Sequence, residues 1–189
     1  KVTNLGNVKI EGNVDQPSGY GSIKVEIYRN EVLLNTVDNE LNYIDSKAPF
    51  AFKMTIQAEL ANYSFKIYGY NSSSNIYELD KTVSNIVAGD AYIIQGQSNA
   101  VASMRIGSAN GNKSDFIRVF ACGTPYSENL LENNAWYIAD GDVVSTSNGN
   151  SGQWGLKLAR LLVDNLQIPI AIFNGAHNGQ GISFFKAPL

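Results

Sequence analysis

Apolar residues fall at every second position through the first half of the chain, and clusters of turn-forming residues separate the runs. Val8-Lys9-Ile10-Glu11-Gly12 alternates cleanly, and Ile23, Val25 and Ile27 share one face with charged residues opposite. The same spacing recurs in Phe50, Phe52, Met54 and Ile56, and again in Tyr63, Phe65 and Ile67. Asp15-Gln16-Pro17-Ser18-Gly19, Arg29-Asn30-Glu31 and Asn71-Ser72-Ser73-Ser74-Asn75 supply turn chemistry between them. Val32-Leu33-Leu34 follows a turn as a further strand, and Ile76 to Val83 closes the set. The pattern predicts a β-sandwich over residues 1–88, with Tyr63 at the mouth of its strand resembling a tyrosine corner.

Beyond Ser84 to Gly89 the pattern changes to strands separated by longer connections, which is the signature of βαβ units and a parallel sheet over residues 89–189. Tyr92-Ile93-Ile94 reads as a central strand buried on both faces. Phe116 to Cys122 and Ile170 to Phe173 are the next two strands, and Tyr126 to Asn150 is a long polar loop anchored by Trp136 and Tyr137. Asn150-Ser151-Gly152-Gln153 fits a capping box with Asn150 as N-cap. The helix after it places Trp154, Leu158, Leu161, Leu162 and Leu166 on one stripe, so Trp154 is expected in the core.

Charge narrows the partners. Residues 1–88 carry ten acidic and eight basic side chains, and residues 89–189 carry seven and six, so no basic field exists for nucleic acid or an anionic membrane. No Lys or Arg lies between Arg118 and Lys157, a stretch that holds only Glu128, Glu132, Asp140 and Asp142, which favours a neutral partner. The single cysteine, Cys122, excludes an internal disulfide and a cysteine-cluster metal site, and reads as a buried strand residue. No run approaches the length of a membrane span. Starting at Lys1 directly before a β pattern is what either a mature exported chain or a trimmed piece of a longer one would look like, and many tyrosines and neutral polar residues fit an extracellular or periplasmic protein.

Two turns carry the candidate chemistry. In Gly89-Asp90-Ala91-Tyr92-Ile93-Ile94-Gln95-Gly96-Gln97-Ser98-Asn99-Ala100 the strand ends at Gly96, where the backbone can bend, and Ser98 sits where Ala100, Val101, Ala102 and Met104 can continue as a short helix. Unpaired N–H groups collect at such a junction and suit a developing oxyanion. Asn174-Gly175-Ala176-His177-Asn178-Gly179-Gln180-Gly181-Ile182 is a second glycine-rich turn at a strand end, and in parallel sheets such ends line a ligand crevice. The plain alternatives are a helix-capping serine and a turn whose glycines only relieve positive φ.

Gly96-Gln97-Ser98-Asn99, preceded by Gly89-Asp90 and a hydrophobic strand, resembles the first block of the SGNH (GDSL-like) hydrolases, in the branch of the sialate O-acetylesterases and carbohydrate acetylxylan esterases. Gln153 to Phe185 resembles the same family's helix, strand and Gly-Gly-Thr turn, with Asn178 and Gln180 departing from the usual glycine and threonine. The resemblance implies an immunoglobulin-like β-sandwich over 1–88, then the first part of a three-layer α/β/α hydrolase domain over 89–189, hence an α/β fold class. It implies Ser98 as nucleophile, the N–H groups of Ser98 and Gly179 as oxyanion donors, and no metal or other cofactor. Gln97, Asn99, Asn178 and Gln180 are then the candidate substrate-binding side chains.

His177 is the only histidine, but the resemblance assigns the general base to a late Asp-x-x-His, which leaves His177 as a pocket-wall or structural residue. The resemblance covers about half of the hydrolase domain, so the Asp-x-x-His is expected outside residues 1–189, on a C-terminal remainder or another chain that also covers the exposed sheet edge. The substrate implied is an acetylated carbohydrate. The competing expectation is a non-catalytic carbohydrate-binding or interaction protein built on an esterase-like fold.

Overall fold

The structure, a computed structural model, describes residues 4–103, 106–120, 135–142 and 148–186. Met104, Cys122, Glu128 and Glu132 lie outside them, so the expectations for those residues, and for most of the 126–150 loop, have no counterpart below. The chain divides into two compact units, Lys1–Ala88 and Gly89–Leu189.

In the first unit every long alternating run becomes a strand: β1 Leu5–Asp15, β2 Tyr20–Arg29, β3 Val32–Glu40, β4 Lys47–Gln57, β5 Tyr63–Asn71 and β6 Ile76–Ile86. They form two antiparallel sheets, β1-β4 and β3-β2-β5-β6. Side chains at period two meet in one core, made of Ile23, Val25 and Ile27 from β2, Phe52 and Ile56 from β4, and Tyr63, Phe65 and Ile67 from β5. Tyr63 is 1% exposed, and its hydroxyl donates to Glu59 Oε1 at 2.7 Å and accepts from the Gln57 N–H at 3.3 Å. Glu59 also receives the Arg29 guanidinium at 2.6 and 2.7 Å. That fork first, and the Tyr63 hydroxyl second, hold the Glu59 carboxyl at about 2, against a smaller opposing effect of burial. The apolar run Val32-Leu33-Leu34 does not reach the core: β3 is an edge strand, and all three residues are exposed.

The second unit is built on β7 Asp90–Ile94, β8 Ile117–Phe120, β9 Trp136–Ile138 and β10 Ile170–Asn174, in the order β7-β10-β8-β9. β10 is parallel to both β7 and β8, and β9 returns antiparallel. The strand expected at the centre is therefore at the edge: β7 pairs with β10 alone among the described residues, and Ile93 is 76% exposed. β10, with Ile170 and Ile172 fully buried, takes the central place. Gly89 directly precedes β7, where a Cβ would lie 1.8 Å from the Pro169 carbonyl oxygen, which accepts the Asp90 N–H at 3.1 Å.

A one-turn helix α1, Ser98–Val101, follows β7, and a longer helix α2, Gln153–Leu166, precedes β10. The stripe of α2 that meets the sheet is Gly155, Leu156, Ala159 and Val163, not the leucine stripe read from the sequence, and Trp154, Leu161 and Leu166 are exposed. Small residues at 155 and 159 let the helix approach the strands, where a Cβ on Gly155 would sit 2.8 Å from Ile94 Cδ1. The helix also starts later than the capping box required. Gly152 is the N-cap at φ 72, and the Asn150 side chain accepts the Gly152 N–H at 2.8 Å, forming a turn before the helix rather than a cap on it.

The α/β class expected from the second half is not what the chain forms. Strands make up 51% of the described residues and helices 17%, and the protein is β-rich. Among the described residues two of the three sheets are antiparallel throughout, and only the small β7-β10-β8 group is parallel. Among the described residues the sheet of the second unit carries α2 on one face, while Phe120, Trp136 and Phe173 pack edge-on and tilted on the other. No three-layer α/β/α arrangement is present among them.

Candidate functional site

The ends of β7 and β10 lie side by side, with Ile94 paired to Asn174. Past that pair the ladder continues into both turns: the Gly175 N–H donates to Ile94 O at 2.9 Å and the His177 N–H to Gly96 O at 2.9 Å. The turn before Ser98 and the turn that carries Gly179 are thus stitched together. Gly179 has φ 73 and stands in open space, with no heavy atom within 4 Å of where a Cβ would be. Asn178 and Gly179 are exposed and Gln180 is half-buried.

Ser98 is the first residue of α1, after Gln97 in extended conformation at φ −90 and ψ −155. Ala100 and Val101 both donate to Gln97 O, at 2.8 and 3.0 Å, which leaves the N–H groups of Ser98 and Asn99 ahead of the helix's own bonds. Ser98, Gln97 and Asn99 are all exposed, so the serine faces solvent and not the core. The helix ends at once, because Ala102 turns left-handed at φ 50 and donates back to Ser98 O at 3.1 Å.

One helical turn cannot hold itself, since nucleation fixes several dihedrals for a single bond. Three outside donors hold α1. The Trp154 indole N–H donates to Asn99 O at 2.8 Å, the Asn174 side-chain amide to Ala100 O at 3.3 Å, and the Gln153 N–H to Ala102 O at 3.0 Å. Asn174 does more than one job, because its amide also donates to Ser151 O at 3.2 Å and accepts from the Ala176 N–H at 3.1 Å. It therefore ties α1, the start of α2 and the Gly175 turn to the end of β10. Ser151 is itself held through its N–H to Asp140 O at 3.0 Å. Burial is the largest single influence on the Asp140 carboxyl and opposes its charge. Bonds from Lys113, the Asp142 N–H and Asn110 together outweigh it and keep the group at about 2.

His177 is buried at 4% exposure, with its ring edge-on to Phe184 at 4.9 Å. Its Nδ1 lies 2.9 Å from Asn178 O. A carbonyl can only accept, so Nδ1 carries the hydrogen and the ring braces the turn it belongs to. Among the described residues, no group of three or more His, Cys, Asp or Glu side chains is placed to hold a metal ion.

No family model matches the sequence, and no curated protein does. One similar solved structure is a carbohydrate acetylesterase from Xanthomonas citri. The two share 16% identity with a TM-score of 0.43, over 94% of this chain and 38% of that one. This chain thus spans well under half the length of that neighbour. The functional reading below rests on this chain's own residues.

Sequence reasoning picked out Ser98, Gly179 and the amides around them, but missed the two residues that position them. Asn174 stood at the first place of the second turn with no role attached. Trp154 was assigned to the core because four leucines suggested the wrong stripe. Anchoring the helix period on Gly155 and Ala159 would have turned it outward.

Proposed function

We propose that this chain carries the nucleophile side of a serine esterase that removes acetyl groups from carbohydrate, in an extracellular or periplasmic setting. The observation that carries the reading is the pair of bonds from Gly175 and His177 to Ile94 O and Gly96 O, which lace a turn bearing an exposed serine to a glycine turn with open space beside Gly179. The motif Gly96-Gln97-Ser98-Asn99 resembles that of the SGNH hydrolases and supports the same assignment.

In this mechanism Ser98 Oγ attacks the acetyl carbonyl carbon, and its proton passes to an imidazole from an Asp-x-x-His outside residues 1–189. The carbonyl π electrons move to oxygen, where the N–H groups of Ser98 and Gly179 donate to the developing charge. Collapse expels the sugar oxygen, which takes the proton from the imidazolium, and leaves acetyl on Ser98. Water then attacks that ester by the same route and releases acetate. Gln97, Asn99, Asn178 and Gln180 supply neutral donors and acceptors for sugar hydroxyls. The chemistry requires no metal.

Because the base lies outside residues 1–189, the test is incubation of this chain together with the portion that supplies the Asp-x-x-His, using a small acetyl ester and a fluorophosphonate with peptide mapping of the label. Turnover with labelling at Ser98, lost in Ser98→Ala by at least about a thousandfold, supports the esterase. The buried, bond-engaged His177 favours a second reading, a carbohydrate-binding protein without catalysis. Glycan binding with neither label nor turnover would select it.

A further inference from the structure

Helix α2 buries Gly155, Leu156, Ala159 and Val163, and Trp154 lies off that stripe with 43% of its surface exposed. An exposed tryptophan normally samples several rotamers. This one is pinned, because its indole N–H donates at 2.8 Å to the carbonyl of Asn99, the residue after Ser98. Indole has a single donor. With that donor committed, the part of the ring left at the surface is apolar, fixed in orientation and tied to the helix that Ser98 begins.

Among the described residues the surroundings are neutral and rich in amides. Gln97 and Asn99 are exposed, and Gln153 is half-buried with its side-chain amide donating to Gly107 O at 3.1 Å. Neither α1 nor the first turn of α2 carries a cation, and the nearest lysine along the helix, Lys157, reaches to Asn112 Oδ1 at 3.3 Å. A rigid apolar ring rimmed by neutral amides matches one kind of ligand: an uncharged ring with an apolar C–H face and oxygens around its edge. A pyranose has that form, and an aromatic ring meets its C–H face as it meets other apolar surfaces.

We propose that Trp154 is the stacking platform of the Ser98 site and receives the C–H face of a neutral acetylated pyranoside, not of a sugar bearing a carboxylate. The proposal rests on the reading of Ser98 as an ester-cleaving nucleophile, and it names the substrate class of that site.

Nitrogen-15 NMR of the intact chain tests it without requiring turnover. The chain has two tryptophans, so two indole cross-peaks are expected, and Trp154→Phe identifies one of them by its loss. Titration with peracetylated methyl xylopyranoside should shift the Trp154 peak saturably and leave the Trp136 peak in place. Trp154→Ala should weaken binding about tenfold, while Trp154→Phe, which keeps a ring, should weaken it about threefold at most. The proposal is overturned if the Trp154 peak stays still, if both peaks move together, if Trp154→Ala binds as the parent does, or if an O-acetylated sialic acid binds more tightly than the neutral glycoside. Its failure is distinct from failure of the esterase reading. Fluorophosphonate label on Ser98 with no shift at Trp154 removes the platform alone, whereas a shift that persists while Ser98 stays unreactive with the Asp-x-x-His portion present removes the nucleophile alone.

Discussion

Gly152→Ala should unseat the helix that begins with Ser98. Gly152 has φ 72 and ψ 157, a region open in practice to glycine alone, so any side chain there costs about 1–3 kcal/mol in backbone strain. The new methyl would also lie 2.6 Å from Val101 O, 3.1 Å from Asn174 Nδ2 and 3.2 Å from Ala102 Cβ. Val101 O cannot give way cheaply, because the next carbonyl is bonded to the Gln153 N–H and the one before it to Asn174. Overpacking of this kind adds about 1–3 kcal/mol, for a total near 4 kcal/mol. Gly107→Ala is the matched control: φ is 76 there, but nothing lies within 4 Å, so only the conformational cost of about 1–2 kcal/mol applies. Both tryptophans lie in the second unit, so their fluorescence during urea unfolding reports that unit. A Gly152→Ala protein whose stability falls within about 1 kcal/mol of the Gly107→Ala protein would refute the account of how α1 is held.

Two further perturbations probe other parts of the molecule. Glu59, ordinarily near 4.5, is held at about 2 in the fold, so the stability it contributes is present above the usual value and is lost as pH falls from about 4.5 towards 2. The pair is partly exposed, so solvent screening discounts its worth. Circular dichroism melts of Glu59→Gln should show a flatter dependence of stability on pH than the parent's across this window, and equal slopes would exclude the role. Asn174→Asp keeps an acceptor for the Ala176 N–H but turns a carboxylate towards Ala100 O and Ser151 O. A loss of about 2–4 kcal/mol with slower fluorophosphonate labelling is expected, and unchanged labelling would disprove the clamp.

The long strands were legible because a two-residue repeat survives whatever packs beside it: Ile23, Val25 and Ile27 point inward because their neighbours along the chain are polar. What periodicity does not encode is how many neighbours a strand has. Tyr92-Ile93-Ile94 and Ile170-Ala171-Ile172 are equally apolar, yet among the described residues β7 is an edge and β10 the centre. The class was misjudged for a related reason, since the second half contributes a parallel group of only three short strands, outweighed by six long antiparallel ones. The two turns of the candidate site were visible as glycine and amide clusters. Their supports were not, because Asn174 and Trp154 act across separations of 74 and 55 residues.

The central place of β10 also sets a schedule for assembly. β7 appears first in the second unit but pairs, among the described residues, with β10 alone, so it must wait for a segment that leaves the ribosome about seventy-five residues later. Until Ile170–Asn174 inserts, the turn before Ser98 lacks the bonds from Gly175 and His177, and α1 lacks the Asn174 amide. A nascent chain halted before that point would display the whole Gly-Gln-Ser-Asn motif without the strand that its turn is laced to.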